Sequence, residues 1–261
     1  MKAKELCKII SQEAIAKDIY SMWIASAKIA SKAIPGQFIS LYCNDKSRLL
    51  PRPISICEID AKKGAIRLVY RIAGAGTAEF AKLVAGDEIE ALGPLGNGFP
   101  IDVAKGKKVL IMGGGIGVPP MLEVAKQLDA DKTIICGYRD ETFLFKEFSS
   151  LARLWIATED GSLGIKGNVL DAVTEYATDG FNLSADIIFA CGPTPMLKAI
   201  KAYALANDIK CYISTEEKMA CGIGACLACV CQSKEIDHHS NVNNKRICKD
   251  GPVFLATEVE L

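Results

Sequence analysis

Over roughly the first hundred positions, apolar residues come in short runs cut by Gly, Asp and Lys turns: PGQFISLYC, PISICEI, AIRLVYRI and DEIEALGPLG. Runs of this length, rich in Val, Ile, Leu and Tyr, predict strands, and strands separated by tight turns predict an antiparallel β-barrel. From about 102 to 212 the texture changes. KKVLIMGGGIGVPPMLEVAKQL, KTIICGYRD, LWIATED and ADIIFACGPTPMLKAIKAYALAND alternate apolar strands with glycine turns and helical repeats. That alternation predicts an α/β domain with a parallel sheet covered by helices. Beyond it the periodic segments give out, leaving a cysteine-rich stretch and a polar loop, SKEIDHHSNVNNKR. Such a piece has little core of its own and needs a bound centre to fold. The pattern predicts a multidomain chain divided at 1–101, 102–212 and 213–261.

Half of the 261 residues are apolar, enough for substantial cores. Lys plus Arg and Asp plus Glu balance at 31 each, so there is no global positive field of the kind that nonspecific nucleic-acid or anionic-membrane binding requires. The N-terminal stretch MKAKELCKIISQEAIAKDIYSMW is interrupted by charged residues before any apolar run long enough for a signal peptide. No run elsewhere reaches the roughly 20 apolar residues of a membrane span. The expectation is a cytoplasmic protein, and in that reducing compartment clustered cysteines bind metal or do redox chemistry more often than they form structural disulfides. The odd total of 11 cysteines also fits poorly with complete internal pairing.

Two strand-end turns carry chemistry. VLIMGGGIGVPPM places Gly113, Gly114, Gly115 and Gly117 between a buried strand and a helix beginning near Pro119. Glycines there let a ligand approach the backbone, and the free N–H groups at the helix start attract phosphate. The spacing is not G-x-G-x-x-G, so by itself it also fits a tight turn without a ligand. Cys191-Gly192-Pro193-Thr194-Pro195-Met196 closes another apolar strand and starts another helix, with Thr194 as the expected N-cap. Two such turns can face one crevice of an open parallel sheet.

Cys221-Gly-Ile-Gly-Ala-Cys226-Leu-Ala-Cys229-Val-Cys231 has the C-x4-C-x2-C spacing of plant-type [2Fe-2S] loops, whereas structural zinc takes ligands from paired C-x2-4-C units. Gly222, Gly224, Ala225 and Ala228 are small enough for the loop to turn main-chain N–H groups toward sulfur. Cys248 is the fourth candidate and Cys231 could substitute for Cys229 or Cys248, since in an extended Cys-Val-Cys the side chains of Cys229 and Cys231 point the same way. His238 and His239 are adjacent, in a polar insert and without a C-x-H spacing, which fits surface residues better than a Rieske site. Cys7, Cys43, Cys57, Cys136 and Cys211 sit in apolar surroundings and are assigned to packing.

Arg52-Pro53-Ile54-Ser55, Gly74-Ala75-Gly76-Thr77 after the strand Leu68-Val69-Tyr70-Arg71, the GGGIG turn and the CGPTPM turn follow one another in an order that resembles the ferredoxin-reductase family. KMACGIGACLACVC with a later ICKDGPVF resembles one branch of it, the electron-transfer subunits of dihydroorotate dehydrogenase B, so the likeness runs over nearly the whole chain. The resemblance implies an FAD-binding barrel, an NAD-binding α/β domain and a C-terminal [2Fe-2S] domain. Carried over by position, Arg52, Pro53, Ile54 and Ser55 would lie against the isoalloxazine and pyrophosphate of FAD. Val69, Tyr70 and Arg71 would line the flavin, and Gly76 and Thr77 would receive the pyrophosphate. Where the wider family has an aromatic residue before the serine, this chain has Ile54, which leaves Tyr70 as the candidate to stack on the flavin. The dinucleotide phosphates would sit over Gly114, Gly115 and Gly117, and the nicotinamide near Cys191, Gly192 and Pro193. In Gly137-Tyr138-Arg139-Asp140 the arginine suits a 2′-phosphate and the aspartate repels one, so the residues leave NAD and NADP open while the resemblance implies NAD. It also implies Cys248 as the fourth ligand beside Cys221, Cys226 and Cys229.

A nicotinamide exchanges a hydride and a [2Fe-2S] cluster one electron, and a flavin converts between them. By resemblance, electrons pass from the FMN of a partner catalytic subunit that oxidises dihydroorotate, through the cluster and FAD, to NAD+ in pyrimidine synthesis. The expected assembly is a heterotetramer of two such chains and two partners. No constellation for hydrolytic catalysis is present in the sequence. Two other readings use the same features: a flavin and iron-sulfur reductase subunit of a hydrogenase or ferredoxin-linked complex, and a noncatalytic zinc-stabilised nucleotide-binding module.

Overall fold

Strands β1 (Ala3–Ala16), β2 (Ile19–Ala25), β3 (Phe38–Tyr42), β4 (Arg52–Asp60), β5 (Ala65–Arg71) and β6 (Glu88–Leu95) close a barrel in the order β1-β2-β5-β4-β3-β6. Adjacent strands run antiparallel. The computed structural model describes residues 2–178 and 184–261. Alternation sends Ile9, Met22, Ile24, Ile39, Leu41, Ile66, Leu68 and Tyr70 into the barrel core. A short helix, α1 (Ala27–Ala30), follows β2 with Ser26 as its cap, and α2 (Ala75–Phe80) follows β5 and buries Phe80.

Past the barrel the chain builds a sheet from β7 (Lys108–Gly114), β8 (Asp131–Tyr138), β9 (Arg153–Thr158), β10 (Ile165–Lys166), β11 (Ile187–Cys191) and β12 (Lys210–Ser214), all parallel. Helices α3 (Val118–Gln127) and α4 (Phe145–Ser149) cover the face toward the barrel, and α5 (Val169–Thr178) and α6 (Thr194–Ala206) cover the other. The order is β10-β9-β8-β7-β11-β12, so the chain reverses direction of growth between β7 and β11. An open parallel sheet leaves a crevice at such a switch point, beyond the carboxyl ends of the strands.

The segment expected as a polar loop is instead a hairpin, β13 (Val230–Asp237) with β14 (Val242–Arg246). Ion pairs Lys245–Glu235 at 2.5 Å and Arg246–Asp237 at 3.0 Å join its strands, supplying from charge what a polar strand lacks in apolar burial. After α7 (Ile247–Asp250), β15 (Val253–Leu255) adds to the large sheet antiparallel to β12, pairing Ile213 with Phe254. The third segment is thereby docked on the second. Its Cys229, Cys248 and Phe254 share one core with Phe38 and Leu95 of the barrel and Ile213 of the sheet. Among the described residues, no helix is long and apolar enough to cross a membrane.

Candidate functional site

β4 brings Arg52 to the start of α2, where its guanidinium lies so close to Gly76 that a Cβ there would stand 2.9 Å from Cζ. Thr77 shapes that turn: its Oγ1 accepts the N–H of Ala73 at 2.9 Å and of Gly74 at 3.2 Å. A fixed cation beside a glycine turn is suited to phosphate. Pro53, Ile54 and Ser55 continue along β4 half-buried, and Arg71 is exposed at the end of β5. Val69 and Tyr70 differ from their expected placement. Val69, 3% exposed, enters the core shared with the second domain, and Tyr70, 1% exposed, points into the barrel. The Tyr70 hydroxyl donates to Gln12 Oε1 at 2.9 Å and its ring stacks on Tyr20 at 6.0 Å. Strand alternation sends the two side chains to opposite cores, so a ligand above this pair meets main chain and the expected stacking by Tyr70 has no open ring face to use.

The two turns of the second domain meet at the switch point. Cys191 pairs with Gly113 where β11 adjoins β7. A Cβ on Gly117 would stand 2.5 Å from the Cys191 carbonyl oxygen and 2.7 Å from Gly192, and one on Gly114 would stand 3.2 Å from Pro193. Gly115 has φ +52°, the left-handed region that only glycine enters freely. Gly114, Gly115, Gly117, Cys191, Gly192 and Pro193 are therefore one structure. Its α6 is capped by Pro193 rather than Thr194, which becomes the first helical residue. Burial pushes the Cys191 thiol up to about 12, against a hydrogen bond to Ser214, so it stays protonated at neutral pH. Arg139 and Asp140 lie exposed just past β8.

In the cysteine loop the Cys226 thiol donates to Cys221 Sγ at 3.3 Å, and the Cys248 N–H donates to Cys229 Sγ at 3.4 Å. The thiols thus fall into two pairs, 221 with 226 and 229 with 248. Among the described residues no three metal-binding side chains converge as on a single ion. Two pairs suit a two-iron cluster held by four cysteines better than one tetrahedral zinc. Main-chain donors surround the sulfurs: Ile223 and Cys226 N–H to Cys221 at 3.5 and 3.4 Å, and Gly224 N–H to Cys248 at 3.1 Å. Gly222 and Gly224 make this possible at φ +68° and +85°. Burial works against ionisation of Cys221, but the N–H groups of Cys226 and Ile223 bring it down to about 6. Cys229 falls to about 6 chiefly through its bond with Cys248, which the same bond pushes up.

Cys231 lies outside both pairs. It sits half-buried in β13, donating to the Lys245 carbonyl at 3.6 Å, and burial pushes its thiol up. His238 and His239 are exposed in the hairpin turn. Sequence reasoning missed Arg246, which is 5% exposed. It donates to the Gly224 carbonyl at 2.9 Å and to Asp237 at 3.0 Å, and Asp250 lies 3.4 Å from its Nε. Its signal was local, an arginine four residues before an aspartate around Cys248. The loop also touches the barrel. A Cβ on Gly222 would stand 2.9 Å from Ser40 Oγ, and Ser40 in β3 pairs with Pro53 in β4. One strand spacing, about 4.8 Å, separates the strand under the cysteine loop from the strand of the Arg52 motif.

A family model described as the iron-sulfur cluster binding domain of dihydroorotate dehydrogenase B matches residues 216–260. The dihydroorotate dehydrogenase B (NAD(+)) electron transfer subunit of a Geobacillus species is 41% identical over 268 residues, spanning 100% of each chain. That of Fusobacterium nucleatum is 42% identical over 264 residues, spanning 98% of each. Among solved structures, an NADH-dependent reduced ferredoxin-NADP oxidoreductase, described for flavin-based electron bifurcation, matches with a TM-score of 0.84 at 28% identity, over 98% of this chain and 90% of that one. A ferredoxin NADP+ reductase from Neisseria gonorrhoeae with bound FAD and NADP shares the fold at a TM-score of 0.66 and 18% identity, over 78% of this chain and 91% of its own.

Proposed function

The chain belongs to the family of dihydroorotate dehydrogenase B electron transfer subunits, and from that premise we propose how its residues divide the work of passing electrons from a dihydroorotate-oxidising partner to NAD+. FAD is assigned to 1–101, NAD to 102–212 and a [2Fe-2S] cluster to 213–261, with the FMN on the partner. When bound, the cluster supplies one-electron transfer, the nicotinamide hydride transfer, and the flavin the conversion between the two. Arg52 and the turn at Gly76 and Thr77 hold the pyrophosphate of the flavin, and the half-buried Ser55 offers a hydroxyl to its ring. Gly114, Gly115 and Gly117 admit the dinucleotide phosphates to main-chain N–H groups, while Cys191, Gly192 and Pro193 border the nicotinamide. The Cys191 thiol keeps its proton there and adds no charge to the crevice.

The four thiols supply the cluster ligands, two per pair. Arg246 holds the Gly224 carbonyl, fixing the residue whose own N–H, in the preceding peptide, donates to Cys248. Hydrogen bonds of this kind to sulfur help set a cluster's potential. The observation that carries the reading is the seating of the cysteine loop on Ser40, one strand from the Arg52 motif. The complex is proposed to be a cytoplasmic heterotetramer of two chains and two partners. The test is anaerobic reconstitution with the dihydroorotate-oxidising subunit. Flavin, iron and sulfide should be bound, the mass should give two plus two, and dihydroorotate should reduce NAD+. A pair with both centres intact that fails to reduce NAD+ would refute the partner, and zinc in place of iron and flavin would refute the whole reading.

A further inference from the structure

Behind the two nucleotide motifs, the barrel and the second domain are joined by a buried ionic network that neither motif explains. A bulge in β4 shifts its pairing to β5 between Ile56 and Glu58 and sets Glu58 across from Arg67. Arg67 donates to Glu58 Oε2 at 2.5 Å and to Ser21 Oγ at 2.8 Å. From the other domain, Lys126 of α3 donates to the second oxygen of Glu58, and Glu147 of α4 lies 3.5 Å from Arg67. Glu123 of α3 accepts the main-chain N–H of Ile59 in β4 at 2.8 Å through one oxygen, and the Gln127 amide at 2.6 Å through the other. Arg67, Glu58 and Glu123 are 7%, 9% and 4% exposed.

Such a network is a poor way to gain stability. Taking each charge out of water costs several kcal/mol, which their mutual attraction only about repays. Apolar packing already joins the domains here, where Cys57 and Val69 share a core with Met121, Leu122 and Val124. What hydrogen bonds of defined length and angle add is register, where apolar faces alone can slide. The register in question is that of α3 on β4. β4 runs from the Arg52 motif to Glu58, and α3 runs from the glycine turn to Glu123. Ser55 to Glu58 is about 10 Å of strand, and Gly117 to Glu123 is about 9 Å of helix. The network therefore sits at the rear of two short stiff levers whose front ends are the flavin motif and the phosphate turn.

We propose that Glu58, Arg67, Lys126 and Glu123 are positioning residues for hydride transfer, holding the nucleotide turn at a fixed distance from the flavin motif. The proposal rests on the assignment of FAD and NAD to those two motifs. In the experiment, the FAD-loaded complex with its partner is mixed anaerobically with NADH. Flavin bleaching and the long-wavelength charge-transfer absorbance of the nicotinamide–flavin pair are followed in wild type, Glu123→Ala, Glu123→Gln and Lys126→Met.

Glu123→Ala should slow bleaching by about ten- to a hundredfold and weaken the charge-transfer band in proportion, since a misplacement of about 1 Å far from the chemistry can cost about a hundredfold. NADH affinity should change by less than about twofold. Glu123→Gln, whose amide oxygen still accepts the Ile59 N–H, should recover most of the loss. Lys126→Met, at a side chain 40% exposed and so tolerant of replacement, should move both signals the same way by less. A lower Tm in either Glu123→Ala or Lys126→Met with bleaching and charge transfer unchanged would overturn the proposal. Wild type that binds no flavin, or whose flavin NADH does not reduce, would instead overturn the cofactor assignment beneath it.

Discussion

Where α3 meets the barrel, Cys57 and Val69 interlock with Met121, Leu122 and Val124 in one apolar core. Where the cysteine loop meets the barrel, Gly222 rests on Ser40 and Cys229 joins Phe38 and Leu95 in a core, while Ile223 and Leu227 of the same loop stay 44% and 46% exposed. The first junction is joined by side-chain packing, with its register set by the ionic network of Glu58, Arg67, Lys126 and Glu123. At the second, polar groups fix the loop: the Gly224 N–H donates to Cys248 Sγ, and the Gly224 carbonyl accepts from Arg246. Two sulfurs there, Cys221 and Cys229, one in each pair, are brought down to about 6 and favour the thiolate. A region built this way depends on the cation that its ligands gather, whereas one built on apolar packing does not.

The largest expected break in this contrast is Cys229→Ser. It removes a ligand from the buried pair, so the visible cluster spectrum and bound sulfide should fall to near background. Hydrogen exchange should quicken across 216–250 and stay unchanged across β7–β12, while FAD content and NADH oxidation by an artificial acceptor remain. Full sulfide content in this variant would place the ligand set elsewhere. Arg246→Met comes next. It leaves Asp237, Asp250 and the Gly224 carbonyl without the cation that joins them. The effect should be confined to the cysteine segment and read as lower cluster occupancy. Arg246→Lys should rescue little, because one ammonium cannot span three acceptors held in a fork.

On the packed side, Gly117→Ala sharpens the comparison. Its Cβ would stand 2.5 Å from the Cys191 carbonyl, so the two turns must part. Overpacking of this kind costs about 1–3 kcal/mol. The effect should appear as NADH binding weakened about tenfold, equivalent to ~1.4 kcal/mol, with cluster content normal. Equal loss of both cofactors would mean that the two regions do not behave independently.

The glycine turns and the cysteine spacing were legible in the sequence because each is a local device, with backbone conformation and ligand geometry set within a few residues. β3 to β6 and the parallel strands β7, β8, β9 and β11 were legible for the same reason, as runs bounded by turns, while β10 and β12 were not. The barrel as a whole was read from texture, yet β1 carries a mixed pattern in which only Cys7 and Ile9 are buried hydrophobics, and its place follows from pairing with β2 and β6. β15 is three residues long and exists because β12 offers an edge. The hairpin after Cys229 was hidden by its polarity, since cross-strand ion pairs leave no alternation of apolar residues. Glu58, Arg67 and Glu123 carry no local signal of their network, whose partners lie up to 80 positions away. Tyr70 shows the converse: its type suited stacking on a flavin, but its parity along β5 turned it into the barrel.

The smallest expected effect belongs to Cys231→Ser. By spacing alone Cys231 competes with Cys248 for the fourth position, being two residues from Cys229 in an extended stretch. In the fold, Cys229 lies just before β13 and faces Cys248, while Cys231 lies within β13 and donates to Lys245 on the neighbouring strand. A serine hydroxyl can donate to the same carbonyl, so the change should lie within about 0.5 kcal/mol in stability. Iron, sulfide and the visible spectrum should match wild type, as should NAD+ reduction by the reconstituted complex. A bleached spectrum in Cys231→Ser together with an intact one in Cys248→Ser would exchange the two residues. It would also require β13 to unpair from β14 at Lys245, which hydrogen exchange at that residue would register independently of the metal.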